Sequence, residues 1–359
     1  MKKHLLAIAA LAAVSGSVAA QNVTVYGALD GGIEHMSRDP ETGKSLTRFG
    51  QNNLQATVWG FRGTEDLGGG MKAGFNLEAY VNTADGTRNA FSTGSSDLFS
   101  RAANISLEGS AGKVVLGRQL DPAFLVGFAG TDPRGARERN SGLITWATGG
   151  NGAGTNQNTN NHANIFDSNA VSYYGSFGGL NVGLGYAFGG IAGETSANTV
   201  TTVGANYSNS GFTVSGSYSM NKGTTANTNS GQYDRWSTGV AYKLGAATLK
   251  ANYMETEAKD NNGVVQNDNR TYGVGAEYQL DPKNLLSVAY YDSKNKKIAN
   301  DTSKTWIISN EYSLSKRTIL YATYSNNKGG SGFTHAADML YTSQGKTNNV
   351  TQAGIVHKF

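Results

Sequence analysis

The sequence predicts an all-β chain closed into a 16-stranded antiparallel transmembrane β-barrel. Three observations predict it. Apolar and polar or tiny residues alternate with period two through most of the chain. The connections between these segments are short and long by turns. The composition joins 48 Gly, 18 Tyr and 13 Phe to only 4 Pro. Mean hydropathy is negative, at −0.39, a value a membrane barrel gives because only alternate residues face lipid.

The first 20 residues stand apart. Lys2, Lys3 and His4 form a basic start, Leu5 to Val14 an apolar run, and Val18-Ala19-Ala20 a small-residue cleavage site before Gln21. This is the pattern of a secretory signal peptide; the run is too short to span a bilayer as a helix. The mature chain then begins at Gln21 and contains no segment long and apolar enough for a membrane helix. Lys and Arg total 30 against 26 Asp and Glu, and two of the lysines fall in the leader. So balanced a charge gives no reason to expect a nucleic-acid partner. The absence of Cys leaves neither a disulfide framework nor a thiolate site.

The strands are read from their alternation. Leu180, Val182, Leu184, Tyr186 and Phe188 share one face, with Asn181, Gly183, Gly185 and Ala187 on the other. Phe212 to Met220, Trp236 to Leu244, Ala247 to Tyr253 and Tyr272 to Leu280 repeat the pattern. Successive strand side chains point to opposite faces, so each segment has one lipid-compatible face. Short connections fall at 67–70, 109–112, 178–179, 209–211, 245–246, 281–284 and 315–316. Long polar ones fall near 37–53, 83–97, 120–168, 190–199, 222–233, 258–269, 295–303 and 327–347. Seven short and eight long connections join sixteen strands, and Pro40, Pro122, Pro133 and Pro282 all lie in connections, as a hydrogen-bonded ladder requires. Tyrosines recur at fixed distances from the turns, which suits an aromatic girdle at the bilayer interface. A soluble sandwich would also alternate, but it needs no short-turn and long-loop asymmetry, and closure removes the sheet edges that so many strands would otherwise expose.

The longest connection, Leu120–Ser168, interrupts this regularity. A loop of that length in a compact protein is functional or disordered. It opens with an apolar run (Phe124, Leu125, Val126, Phe128), continues into a charge cluster (Asp132, Arg134, Arg137, Glu138, Arg139) and ends in a Gly/Asn/Thr-rich tract, Gly149 to Asn161. It is expected to set what passes through the closed wall. Its first half, to Trp146, should fold inward, and the Gly/Asn tract should stay outside.

Several stretches resemble the β-proteobacterial general outer-membrane porin family. Asn22-Val-Thr-Val-Tyr-Gly-Ala-Leu-Asp30 is similar to that family's first strand. Phe61-Arg-Gly-Thr-Glu-Asp-Leu-Gly-Gly-Gly-Met-Lys-Ala-Gly-Phe-Asn-Leu-Glu78 is similar to its second hairpin. Leu116-Gly-Arg-Gln119, Asn169-Ala-Val-Ser-Tyr-Tyr174 and the terminal Gly354-Ile-Val-His-Lys-Phe359 also match. The resemblance implies an inward-folded third extracellular loop, a homotrimer in contact with outer-membrane lipid and lipopolysaccharide, and passive diffusion of ions and small hydrophilic solutes. It also implies that Phe359 is an assembly signal read by the barrel-assembly machinery. The family often carries pore-wall arginines at the positions of Val58 and Phe166; neither is Arg here. The family's Arg ahead of Ala-x-x-x-Leu is present as Arg101.

The expected lumen residues follow from facing. Trp59 and Phe61 point outward, which turns Arg62 inward; Phe75 and Leu77 turn Lys72, Asn76 and Glu78 inward; Val23, Val25, Leu29 and Ile33 turn Thr24, Asp30 and Glu34 inward. The alternation around Arg101 and Arg118 is weak, and the resemblance alone places Arg101 on the wall. Arg62, Glu78 and Arg101, with Arg118 and the five charged loop residues, make the expected constriction. Structural ion pairs explain the same charges as readily as selection does. No set of histidines has metal-ligand spacing, so no metal or cofactor is expected. Gly68–Gly70 are turn glycines and lack the Gly-Lys-Ser/Thr of a phosphate loop. The predicted function is a diffusion channel with a weak anion preference. A barrel acting as adhesin or anchor through its long loops is the alternative, and a barrel-embedded hydrolase a third; conductance separates the first two, and lipid hydrolysis addresses the third.

Overall fold

A computed structural model describes residues 23–87, 98–139, 141–142, 161–162 (backbone), 165–223, 231–333 and 341–359. The leader, residues 1–20, and the tract 149–160 lie outside the described residues. The strands in chain order are β1 Thr24–Met36, β2 Leu46–Gln51, β3 Val58–Gly68, β4 Met71–Tyr80, β5 Ala102–Gly109, β6 Gly112–Leu120, β7 Asn161–His162, β8 Phe166–Phe177 and β9 Leu180–Ala187. They continue as β10 Val200–Asn209, β11 Phe212–Lys222, β12 Gln232–Leu244, β13 Ala247–Lys259, β14 Val265–Asp281, β15 Asn284–Asn295, β16 Thr302–Ser313, β17 Thr318–Gly329 and β18 Thr347–Lys358.

These strands form one antiparallel ring. From β3 to β6 and from β8 to β18 each strand pairs with the next, β6 pairs with β8 across the long loop, and β1 pairs with β18 to close the sheet. Two strands are not independent staves. The two-residue β7 only adds to the end of β8. Strands β2 and β3 both pair with β1, β2 along its far half (Gly31–Met36) and β3 along its start (Thr24–Ala28). They are one stave broken at 52–57, which leaves sixteen around the ring. The connection expected at 37–53 is therefore shorter than the sequence suggests. The reason is Asp30: its carboxylate accepts the backbone N–H groups of Leu54 (2.7 Å) and Gln55 (2.9 Å) and the Tyr321 hydroxyl (2.7 Å), drawing the segment off the sheet and into the lumen. Leu54 packs there on Tyr321 and Val356.

The outer surface carries the apolar side of the alternation. Val25, Ile33, Ile105, Leu116, Leu184, Val214, Val240, Val274 and Ile355 are among the large apolar side chains left exposed. An exposed apolar face is stable only where something other than water covers it. No helix among the described residues is long and apolar enough to cross a membrane; here strands make the apolar belt. The last strand seals the ring at its end. Phe359 and Gly27 exchange backbone hydrogen bonds of 3.2 and 3.1 Å. A Cβ on Gly27 would lie 2.5 Å from the Phe359 ring, so only glycine leaves room for that ring against β1.

Candidate functional site

The site is the lumen, narrowed by the segment that follows β6. Asp121 starts it. One carboxylate oxygen accepts the Ala123 N–H (2.6 Å) and the other accepts Arg235 Nη2 from β12 (2.8 Å), with both side chains fully buried. A π-helical turn, Ala123–Phe128, follows. Phe124 and Phe128 are buried, their ring centroids 5.8 Å apart.

This half of the loop lies flat against the inner faces of β9 to β14, and the wall residues there are small. A Cβ on Gly204 would stand 2.6 Å from the Pro122 carbonyl oxygen, one on Gly183 2.8 Å from Val126, one on Gly239 2.2 Å from Thr131 Oγ1, and one on Gly275 2.9 Å from Pro133. Close backbone approach of this kind is a structural use of glycine. Polar contacts pin the loop along the same track: Asn206 Nδ2 donates to the Val126 carbonyl (2.8 Å), and Thr131 shares a hydrogen bond with Ser215 (2.7 Å).

Beyond Thr131 the loop reaches the rest of the ring. Asp132 lies in the lumen yet does not front the passage. Its carboxylate accepts the N–H groups of Ala136 (2.7 Å) and Gly142 (3.0 Å) and the hydroxyl of Tyr291 on β15 (3.1 Å). Burial pushes this carboxyl above the ordinary aspartate range, against those donors. Arg134 is buried as well. It donates to the Arg139 carbonyl (2.5 Å) and to Thr323 on β17 (3.3 Å), and burial lowers its pKa. The sequence places Asp132 and Arg134 among charges that meet the passage; the structure makes both internal ties, because a buried charge must satisfy its hydrogen bonds locally.

The remaining loop charges meet wall charges. Arg137 binds Glu311 on β16 through two contacts, 3.1 and 2.8 Å. Glu138 comes within 3.7 Å of Arg101, and burial pushes its carboxyl up despite that arginine. Arg139 donates to the Tyr341 hydroxyl (3.1 Å), and its backbone N–H donates to the Asn53 carbonyl (3.3 Å). Tyr341, from the segment before β18, is fully buried and donates to Glu34; Gln352 also donates to Glu34 (2.6 Å), and Arg48 completes the cluster at 2.8 Å. Three segments thus enter the lumen and meet one another: the loop after β6, residues 52–57, and the residues just ahead of β18. Sequence reading anticipated only the first.

The wall across from the glycine track differs in kind. The strand register puts Arg62, Asn76 and Asn104 in one inner-face row, and Glu78 beside Gly60 and Ala102 in the next. Tyr26 donates to Asn76 (2.7 Å) and Glu78 (2.8 Å), and the Arg62 guanidinium lies 4.8 Å from the centre of the Tyr26 ring. Arg101 donates to Glu78 (2.6 Å) and to the Tyr80 hydroxyl. Arg118 donates to the Ser100 carbonyl (2.6 Å) and to Ser168 (2.5 Å). Phe166, at a position where the resembled family often has Arg, is buried beneath both guanidinium groups, at 5.1 and 5.5 Å. Val58, the other such position, packs in the apolar cluster that contains Phe124 and Phe128. Of the nine residues expected at the constriction, the five loop charges and Arg62, Glu78 and Arg101 lie inside the ring; Arg118 shares a register row with Ala103 and the outward Leu77, at the irregularity between Gly117 and Gln119. Glu34, read as inward from the alternation of β1, joins them; Asp121, Arg235, Tyr291, Tyr341 and Glu311 do too and were not anticipated. The buried Asp121–Arg235 pair left no local sequence signal, while the run of Gly and Ser on the inner faces of β9–β12 did.

A family model described as Gram-negative porin matches residues 7–332. The chain is 32% identical over 309 residues to outer membrane porin protein 32 of Delftia acidovorans, covering 82% of this chain and 81% of that one. It is 30% identical over 308 residues to an outer membrane porin of Bordetella pertussis, covering 81% and 69%. Among solved structures, an anion-selective porin from Comamonas acidovorans superposes with a TM-score of 0.77 at 26% identity, covering 94% of this chain and all of that one. The trimer form of OmpT from Vibrio cholerae, at 15% identity and a TM-score of 0.64, shares the fold over 95% of this chain and all of its own. A closed sixteen-stave ring, an apolar outer belt, a lumen narrowed by an inward loop and these matches lead to one assignment: the chain belongs to the Gram-negative porin family, the diffusion channels of the outer membrane.

Proposed function

We propose that the passage prefers small anions weakly, and that Arg62, Glu78, Arg101, Arg118 and the loop charges Arg137, Glu138 and Arg139 are the groups that set this preference, with Asp132 and Arg134 holding the loop in place. The carrying observation is an imbalance of partners. The acids near the constriction are each engaged: Glu34 by Arg48, Tyr341 and Gln352; Glu78 by Arg101 and Tyr26; Glu311 by Arg137. Arg62, by contrast, is exposed on the inner wall with an aromatic ring for its neighbour. A charged ring in a narrow passage selects ions by sign, and wall charges act more strongly there than in bulk water. The Comamonas porin is anion-selective, which agrees with this reading. Reversal potentials in a salt gradient test it: a cation-selective value overturns it.

The same reading covers assembly. Outward tyrosines run from β8 to β17, with Tyr207, Tyr242, Tyr272, Tyr290 and Tyr312 all exposed, whereas the described outer faces of β1–β6 and β18 carry none. An arc without outward tyrosines suits contact with another copy of the chain, and a homotrimer closes such contacts by rotation. Conductance steps in groups of three support this; single steps from a folded barrel speak against it. Residues 1–20 act as the export signal, and residues 120–168 are the constriction loop. Lipopolysaccharide contacts the outer face, and the barrel-assembly machinery reads Phe359. Deleting Phe359 should reduce outer-membrane insertion in cells more than refolding in detergent; equal insertion of deletion and parent would reduce Phe359 to an ordinary girdle residue. The lumen does transport and no hydrolysis, which a lipid-hydrolysis assay checks.

A further inference from the structure

We infer that the lumen holds a subsite for small amphiphilic monocarboxylates, between the first turn of the inward loop and the wall of β4, β5, β6 and β8. The inference rests on the chain being a pore and names a class of solute for it. The first observation is Leu125. It is 47% exposed, and every other large exposed apolar side chain on the strands faces outward or sits at a turn. Here the leucine projects from the π-helical turn into a cavity of about 410 Å³, a volume suited to a small organic ligand. Val115, Leu120 and the ring of Tyr174 line the same cavity, so its apolar side is continuous. In a lumen whose described surface is otherwise polar, this is a place where a hydrocarbon group leaves water.

The second observation is Lys113, which lines the cavity from β6. Among the described residues it forms no ion pair; its register neighbours are Tyr174 and the exposed Glu108. Gln119, also in the lining, adds a neutral amide. An ammonium on one side and a leucine on the other match a carboxylate joined to an aromatic or branched aliphatic group. A dianion would lack a second free cation, because Arg101 at this cavity is already bound to Glu78. An inorganic anion would leave the apolar side unused. Such a site is shallow and open to the lumen, so it slows the solute without trapping it, as conduction requires.

The test uses the whole protein in planar bilayers, with benzoate, acetate and benzyl alcohol added in turn to a potassium chloride bath. The parent should show a saturable fall in chloride conductance with benzoate at about a tenth of the acetate concentration, the scale expected for one modest apolar contact. Leu125→Asn, at an exposed position, should bring benzoate to the acetate value. Lys113→Gln should weaken benzoate and acetate by a similar factor and leave benzyl alcohol unchanged. Equal effects of benzoate and acetate on the parent overturn the proposal, as does an unchanged benzoate response in Leu125→Asn. Chloride steps recorded before each addition separate this from the pore reading: steps without a benzoate preference sink the subsite alone, and no steps sink both.

Discussion

The inner faces of β9–β14 and of β3–β6 belong to one lumen and do different work. On the first, Gly183, Gly204, Gly239 and Gly275 let the loop backbone lie against the wall, and Asn206 and Ser215 hydrogen-bond to it. On the second, Arg62, Asn76, Glu78, Asn104 and Lys113 are long, polar and partly or fully exposed. One wall is a berth for the loop; the other is the surface that solutes meet. Both read simply as the non-apolar side of a period-two strand. The size of the side chain carries the distinction: a tiny face is a face that something covers, and a long polar face is one left to water.

Breaking the berth should give the largest effect. Arg235→Met strands the buried Asp121 carboxylate and should cost about 3–5 kcal/mol, seen as a lowered denaturation midpoint together with a larger, noisier conductance. Gly204→Val comes next. Its side chain would meet loop backbone atoms, which cannot swing away, and overpacking of this kind costs about 1–3 kcal/mol. Conductance should rise while the barrel stays folded; unchanged conductance would show that the loop is not held by this wall. Changes on the facing wall should leave stability nearly alone and move selectivity. Arg62→Gln should carry the reversal potential toward cations, and a value equal to the parent's would remove Arg62 from the selectivity account.

The smallest effect is a pH dependence. Burial raises the Glu138 carboxyl above the usual glutamate range, so it protonates before ordinary acids as pH falls. Losing that negative charge leaves Arg101 and Arg139 less balanced. Anion preference should therefore increase as pH falls from 7, before ordinary glutamates protonate, and Glu138→Gln should show the increased preference already at pH 7 with no further change over that range.

Much of this was legible in the sequence, and the reasons are specific. Alternation located the staves, and the facing of Trp59, Phe61, Phe75 and Leu77 fixed that of Arg62 and Glu78. The long apolar-then-charged connection marked the inward loop. What escaped were contacts between residues far apart in sequence. Asp30 pulling in Leu54 and Gln55, Tyr341 reaching Glu34, and Arg235 meeting Asp121 are each satisfied by a partner on another strand, so no local pattern announces them. The passage-facing roles read for Asp132 and Arg134 failed for a related cause. Counting charges in a loop cannot tell which are spent holding its own turns together.

The seam between β1 and β18 has a consequence in time. The chain's first strand must wait for its last residue, since Gly27 pairs with Phe359 itself. Contacts between the two ends of a chain are the slowest to form, and until they do, β1 and β18 are both open edges able to pair with any other strand. A chain whose seam is still open is thus a curved sheet with two live edges rather than a nearly finished pore. It needs cover until that seam closes, and the pairing of Gly27 with Phe359 ends the hazard.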